Sequence, residues 1–201
     1  MKPGLFLPAT AALAALLALS GCMAPIGPVE VTRFVEPAAL PQLGHGTIAV
    51  EPASGMDPNS LELGSYTAAV ARELVRLGYQ TAADGQGAQV ALVRVERQTV
   101  QPERDHGPVS VGGGASAGSY GSGVGLGIGI DLSGKPKPQT ETRLSVMIRD
   151  RASGKTVWEG RASFAVQADA PLATTSLGAP KMAAALFQNF PGRNGETIEV
   201  Q

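Results

Sequence analysis

The chain has 201 residues, a formal net charge of -1 and a single cysteine, and 43% of its residues are hydrophobic while only 4% are aromatic. This length suits one folding unit with a buried core of its own. The near-zero charge gives no field that would attract nucleic acid, and one cysteine excludes a disulfide framework or a multi-cysteine metal site.

The N-terminal segment is typical of a bacterial secretory signal. Lys2 precedes an apolar run that is too short for a stable membrane anchor, which needs ~20 residues. The run ends in Leu19-Ser20-Gly21-Cys22, which resembles the lipobox of bacterial lipoproteins. We therefore expect residues 1–21 to be removed and Cys22 to carry several acyl chains, which together anchor a protein firmly. The alternative is an ordinary secreted protein with a cysteine at its cleavage site.

The residue after the cysteine predicts the destination of this lipoprotein. In Gram-negative lipoproteins an aspartate at this position resembles an inner-membrane retention signal, and here the position holds Met23. This implies export to the outer membrane, with the domain facing the periplasm. Residues 22–28 form an extended, lipidated tether, and residues 29–201 form a single domain.

The first half of that domain shows three strand patterns and one helix. Val29, Val31 and Val35 alternate with Glu30, Thr32 and Phe34, and residues 47–50 form a short apolar run. Residues 88–95 begin apolar on both faces, as in the interior of a sheet, and become one-sided at Arg94. The helix starts near Asp57-Pro58-Asn59-Ser60 and ends at Gly78. Its buried stripe consists of Leu63, Tyr66, Val70, Leu74 and Leu77.

The second half predicts a hairpin, a helix and a last strand. Residues from Thr140 alternate up to a turn at 150–154, and the alternation then resumes with Trp158, Ala162, Phe164 and Val166 on one face. A second helix is expected to follow Pro180, exposing Lys181 and packing Met182, Leu186 and Phe187, until Pro191 stops it. Residues 197–200 read as a strand. The element order predicts an α+β fold, a mixed or antiparallel sheet with about two helices on one face.

A glycine-rich insertion at 107–134 interrupts this pattern, with 11 of the 26 glycines in the chain. Residues 123–130 alternate Gly with Val124, Leu126, Ile128 and Ile130, which places these four side chains on one face of an extended strand. Two interpretations stay open. The segment is a hairpin whose apolar residues contact a partner or a membrane, or it is a disordered linker, since glycine raises the entropic cost of ordering.

The same insertion contains two motifs that occur easily in low-complexity sequence. Gly112, Gly114 and Ala117 match a dinucleotide-binding fingerprint, but so much glycine disfavours the helix that must follow it. Gly114-Ala115-Ser116-Ala117-Gly118 matches the nucleophile elbow of hydrolases. Both histidines, His45 and His106, precede Ser116, whereas that fold places its histidine last.

Several other residues allow either a functional role or an ordinary structural one. Four residues flank the insertion and form either an oxygen-rich cation site or solvated loop charges: Glu103, Asp105, His106 and Asp131. Trp158 beside Arg143 and Arg161 indicates ligand stacking or, more often for one tryptophan on an apolar face, a core residue. His45 has no acidic neighbour to orient it as a base. We expect no cofactor and no metal.

Several short motifs resemble a family of bacterial envelope lipoproteins defined only as a domain of unknown function, the four-one-three-six type. They are Leu77-Gly78-Tyr79, Ala88-Gln89-Val90, Val157-Trp158-Glu159-Gly160 and the run from Leu186 to Gly192. Members often carry aspartate where this chain has Gln89. The resemblance implies an α+β envelope domain and no established activity.

These observations lead to three hypotheses. The first is a non-enzymatic, lipid-anchored domain that binds or scaffolds an unknown envelope protein or small ligand. The second is a membrane-engaging or assembly component that uses the glycine-rich hairpin. The third, an envelope hydrolase, lacks a convincing base.

Overall fold

A computed structural model describes residues 27–83, 85–101, 109–118, 121–130 and 136–201 of the chain, with backbone positions for 109–118 and 121–130. These residues form nine strands, two α-helices and two short 3₁₀ helices, at Pro37–Gln42 and Pro171–Ala173. The helices are α1 (Leu61–Arg76) and α2 (Thr175–Phe187). The strands are β1 (Val29–Val35), β2 (Thr47–Pro52), β3 (Gln80–Thr81), β4 (Gln89–Val100), β5 (Val109–Gly118), β6 (Gly121–Ile130), β7 (Gln139–Asp150), β8 (Thr156–Gln167) and β9 (Glu196–Val200).

Seven of the strands make one mixed sheet in the order β3-β2-β4-β7-β8-β1-β9. Strand β2 runs parallel to β3 and β4, and the other neighbours are antiparallel. The protein is therefore an α+β fold, as the element order predicted. The apolar strand expected at 88–95 is β4, and it lies inside the sheet between β2 and β7.

Helix α1 begins and ends where its sequence signals predict. The Ser60 hydroxyl accepts a hydrogen bond from the Leu63 backbone N–H at 3.3 Å, which satisfies one of the free donors of the first turn. Gly78 follows the helix with φ +107°, a conformation that only glycine adopts without strain. The predicted stripe faces the core, with Tyr66, Val70 and Leu74 at most 2% exposed.

Helix α2 differs from its prediction at its beginning. It starts at Thr175, so Pro180 lies inside the helix rather than before it. Proline has no N–H to bond the carbonyl four residues earlier, and this cost argued for a later start. Packing reverses the outcome, because Ala179 just before the proline and Met182 two residues after it are buried in the core.

The core lies between the two helices and one face of the seven-stranded sheet. The predicted hairpin, β7 with β8, contributes alternate residues to it, including Leu144, Val146 and Ile148 at 0% exposure. Trp158 of β8 stacks on Phe187 of α2, with ring centroids 5.3 Å apart and planes inclined by 16°. Its indole N–H donates to the Pro191 carbonyl at 2.9 Å, so its polar atom is satisfied as well.

The glycine-rich insertion contains the remaining two strands. Strands β5 and β6 pair antiparallel as a separate two-stranded sheet, from Val109 with Ile130 to Gly118 with Gly121. We call these paired strands the ribbon. Whether this segment contacts a partner or a membrane stays a prediction.

Candidate functional site

One face of the seven-stranded sheet carries neither helix among the described residues, and we call it the outer face. A groove of about 430 Å³ crosses this face over five strands, β9, β1, β8, β7 and β4. It lies where β4 ends and β7 begins, the end of the sheet from which the glycine-rich insertion leaves. We call this the hairpin end.

The groove is built from rows of residues that lie directly opposite one another on neighbouring strands. One row consists of Glu199, Glu30, Ser163, Arg143 and Glu96. The next row contains Ala165, Glu141 and Gln98. These side chains share the outer face because alternate residues of each strand point inward to the core. The sheet thus gathers polar groups from distant parts of the sequence.

The charges in the groove are unbalanced. Four carboxylates, those of Glu30, Glu96, Glu141 and Glu199, line it beside two arginines, Arg143 and Arg97, and Arg97 is already paired with Glu62 of α1. Glu96 and Arg143 lie 3.5 Å apart and are both more than half exposed, so their pairing is screened and adds little stability. Gln98 donates to Glu141 at 3.0 Å. The groove therefore presents exposed acceptor oxygens and a negative field.

Three other features of the molecule meet at the hairpin end. The chain enters the sheet there, with Gly27 beside the Ala165 carbonyl, two residues before β8 ends. Both helices begin there, because Arg97 near the end of β4 donates to Glu62 of α1 at 2.8 Å and to Thr175 of α2 at 2.9 Å. Tether entry, ribbon exit and the helix N-termini consequently share one end of the domain.

The structure gives only part of the site predicted from the sequence. Cys22, the predicted lipid attachment site, lies outside the described residues. Val124, Leu126, Ile128 and Ile130 lie on β6, at alternate positions of the ribbon. The proposed cation ligands Glu103, Asp105, His106 and Asp131 also lie outside the described residues. In the described part, no group of three or more His, Cys, Asp or Glu side chains is placed to hold a metal ion.

The glycine motifs lack the local structure that their chemistry needs. Gly112, Gly114 and Ser116 lie within strand β5, and the next described element is strand β6. A dinucleotide fingerprint requires a helix after the glycines, and a nucleophile elbow requires a sharp turn into a helix. Neither motif has that context here.

The single residues weighed in the sequence have structural roles. His45 Nδ1 lies 3.1 Å from the Leu43 carbonyl in the turn before β2. Trp158 is fully buried, so it is a core residue, while Arg161 stacks over the exposed Phe34 ring at 5.7 Å. Gln89 is buried, accepting from the Tyr79 hydroxyl at 3.3 Å and donating to the Gln42 carbonyl at 2.8 Å.

Tyr79 shows why an amide suits position 89. Burial raises the pKa of the Tyr79 hydroxyl above its ordinary value, so the hydroxyl remains a hydrogen-bond donor. The Gln89 side chain supplies one acceptor and one donor, and both are used. In this chain position 89 is therefore part of the packing between the helix end and the sheet.

Sequence analysis did not identify Arg33, a charged residue that is fully buried in the described part of the chain. Its side chain lies on the same face of β1 as those of Val29, Val31 and Val35. This face points to the core, where Arg33 is 0% exposed. The signal was present, because a period of two assigns Arg33 to the same face as the valines. The groove carboxylates were missed because only strand order brings them together.

Comparison with known proteins identifies the family of the chain. The family model described as Domain of unknown function (DUF4136) matches residues 43–192. The chain belongs to this family. The uncharacterized protein ZMO1243 of Zymomonas mobilis subsp. mobilis is 33% identical, over 87% of this chain and 80% of that protein. The family resemblance of the sequence motifs is thus confirmed.

Two solved structures align with the chain at low sequence identity and with TM-scores below 0.5. A PDZ domain protein from Parabacteroides distasonis aligns with 94% of this chain at a TM-score of 0.47 and 13% identity, and the chain spans 42% of its length. The PelC dodecamer from Paraburkholderia phytofirmans aligns with 83% of this chain at a TM-score of 0.43 and 13% identity, over 99% of that chain. No helix in the described part of our protein is long and apolar enough to span a membrane.

Proposed function

We propose that this protein is an outer-membrane lipoprotein whose periplasmic domain binds or scaffolds an envelope partner without catalysing a reaction. Its anchor is an acylated Cys22, supported by the Leu19-Ser20-Gly21-Cys22 motif. The partner is an envelope protein or a small ligand. The observation that carries the binding role is the outer face, a broad sheet surface with a groove and exposed polar groups.

The geometry favours recognition of a polar surface over binding of an apolar ligand. The groove is lined by carboxylates and the Gln98 amide, whose oxygens can accept from a partner's donors, and by arginines, which can donate to a partner's acceptors. Its surplus of carboxylates suits a basic partner. Only Pro28, Phe164 and Ala165 of its lining residues are apolar, and most large apolar side chains of the sheet point to the other face, into the core.

The anchoring part is tested by fractionation of cells that express Cys22→Ser. We expect the wild-type protein to label with palmitate and to sediment with outer membranes. The variant should lose the label and either become soluble or remain unprocessed. Palmitate on the variant, or a soluble wild-type protein, would show that Cys22 is not the anchor.

The binding part is tested by cross-linking in intact envelopes with two matched charge reversals. Glu96→Lys alters the groove, and the Glu96 side chain is 55% exposed, so the variant should fold. Glu36→Lys makes the same change at an exposed residue just after the far end of β1. We expect the cross-linked partner of the wild type to be lost with Glu96→Lys and kept with Glu36→Lys. Equal cross-linking by both variants contradicts the groove as the binding surface.

A second candidate function, membrane engagement or assembly through the ribbon, is favoured by one observation. The ribbon leaves the domain at the end where the tether enters, so an anchor at Cys22 and the ribbon act on the same side of the molecule. A domain that bound its partner only through the outer face would not need the tether and the ribbon at the same end.

A further inference from the structure

The strand register sorts the residues of the ribbon onto two faces. Directly opposite residues share a face, and alternate residues of one strand lie on opposite faces. Val109 pairs with Ile130, Val111 with Ile128, and Gly113 with Leu126. The same rule places the remaining apolar residues of both strands on this face. We call it the apolar face.

The opposite face of the ribbon is almost free of side chains. Its ten positions hold eight glycines together with Ser110 and Ser116. Neither strand contains a charged residue. A two-stranded sheet has no second layer of its own and is marginal in water, so a face that gathers valine, leucine and isoleucine needs a cover.

The sequence distance between the predicted lipid and the domain indicates what covers this face. Cys22, the predicted lipid attachment site, can lie at most about 18 Å from Gly27 at the hairpin end, because this is the longest span of five extended residues. Each ten-residue strand is about 33 Å long. A bilayer that holds the acyl chains of Cys22 would therefore lie close to the end of the domain from which the ribbon leaves.

Two exposed leucines mark the same end of the domain. Leu61 is 90% exposed in the first turn of α1, and Leu177 is 50% exposed in the first turn of α2. Both helices begin at the hairpin end, where Arg97 joins Glu62 to Thr175. Exposed leucines of this size add apolar area to any surface that docks there.

We propose that the hairpin end docks on a lipid bilayer, with the apolar face of the ribbon and Leu61 and Leu177 in the interfacial region. The proposal deepens the second candidate function, and its biological setting rests on the lipid anchor at Cys22. At the interface, water satisfies the backbone groups along the ribbon edges, which the hydrocarbon core would leave unpaired.

The charges at this end predict the kind of lipid. The strands of the ribbon are uncharged, and the nearby groove carries four carboxylates against two arginines, one of which, Arg97, is paired with Glu62. Anionic headgroups would repel these carboxylates. Docking should therefore be at least as strong on phosphatidylcholine vesicles as on vesicles that contain anionic lipid, and it should not weaken at higher salt.

The first test uses the mature chain with Cys22→Ser, so that no acyl chain contributes, and flotation with phosphatidylcholine vesicles. We expect Leu126→Asp/Ile128→Asp to lower the fraction bound at least tenfold. The matched control, Ser110→Asp/Ser116→Asp, places two charges on the opposite face and should stay within threefold of the parent. Thermal melting of each variant verifies that the domain remains folded.

The second test addresses the domain surface independently of the ribbon. Leu61→Asp should weaken vesicle binding at least threefold. Val75→Asp alters another exposed apolar residue, 52% exposed, near the opposite end of the same helix and should leave binding unchanged. Because these residues lie outside the ribbon, this pair stays informative if the ribbon variants misfold.

Several results would overturn the proposal. The first is that the parent does not bind vesicles. The second is that Leu126→Asp/Ile128→Asp and Ser110→Asp/Ser116→Asp lose binding equally. The third is that binding requires anionic lipid. Dimers that form without lipid and are lost with Leu126→Asp/Ile128→Asp would make a second copy the occupant instead. Since all arms lack the lipid anchor, none of these results bears on acylation of Cys22, which the fractionation experiment tests separately.

Discussion

Arg33 connects three parts of the chain that are distant in sequence. Its Nε and Nη2 atoms donate to the carbonyls of Leu186 at 3.1 Å and Ala185 at 3.3 Å, and Nη1 donates to Glu196 at 3.0 Å. These carbonyls belong to the last turn of α2, where a positive charge complements the helix dipole. The buried guanidinium is thus satisfied on three sides, which a buried charge requires.

Glu196 makes this contact dependent on pH. A hydrogen bond from the Arg193 backbone, followed by the Arg33 guanidinium, lowers the pKa of Glu196 below its ordinary value of 4.5. A carboxylate with a lowered folded-state pKa contributes stability above pH 4.5 that is lost as the pH falls through the lowered value. The contribution is therefore present at pH 7.

We predict that Glu196→Gln unfolds at lower urea concentration than the wild type at pH 7, and that this difference shrinks as the pH falls below 4.5. Glu199→Gln, on the outer face of the same strand, should follow the wild-type curve throughout. Urea midpoints measured from pH 7 to pH 2.5 check both expectations. A difference that is constant with pH would show that the charge of Glu196 is not involved.

Trp158 is expected to be a main source of stability at the level of single residues. It packs against Phe187 at 5.3 Å and Phe190 at 5.2 Å, and it is fully buried. Trp158→Ala should therefore lower the unfolding free energy by about 3–5 kcal/mol. Phe34→Ala, at a ring that is 42% exposed, should cost much less. Equal melting temperatures for the two variants would contradict this packing.

At the scale of elements, two glycines of the main domain have opposite roles. A Cβ at Gly64, in the second turn of the exposed side of α1, would meet nothing within 4 Å. A Cβ at Gly160, in β8, would lie 2.3 Å from the Trp158 ring and 2.8 Å from Leu186. Glycine costs helix stability at the first position and makes room for the indole at the second.

We predict that Gly64→Ala stabilises the protein by about 0.5–1 kcal/mol, because alanine favours the helix and restricts the unfolded chain. Gly160→Ala should destabilise it by about 1–3 kcal/mol through overpacking. Urea unfolding of both variants measures the two signs. Destabilisation by Gly64→Ala would mean that α1 is crowded at this position.

At the scale of the whole molecule, the ribbon is separable from the main sheet. It is an insertion between β4 and β7, which pair with each other from Gln89 with Asp150 to Val100 with Gln139. The seven-stranded sheet and its two helices therefore contain their own core without β5 and β6. Stability of the domain should not depend on the ribbon.

We predict that replacing residues 107–134 with a short turn leaves the free energy of unfolding within about 1 kcal/mol of the wild type, since loop-closure entropy changes only by ~0.6 kcal/mol per twofold change in length. Circular dichroism and urea titration of the deletion variant measure this. An unfolded variant would show that the ribbon belongs to the core. A folded variant that keeps vesicle binding would contradict membrane docking by the ribbon.

The sequence by itself determined the elements whose signals are local. Periodicity located β1, β2, β7, β8 and β9, and capping by Ser60 and Gly78 bounded α1. Short local motifs, such as Leu77-Gly78-Tyr79, also indicated the family. Local patterns suffice here because each depends on neighbours within one turn or one strand.

The tertiary structure decided what depends on strand order and on packing between distant segments. Pro180 stands inside α2 because burial of its neighbours outweighs one missing hydrogen bond. Arg33 is buried because α2 and β9 bring acceptors to it from more than 150 residues away. The groove exists because the sheet sets Glu30 beside Glu199 and Arg143 beside Glu96, and no local pattern encodes which strands become neighbours.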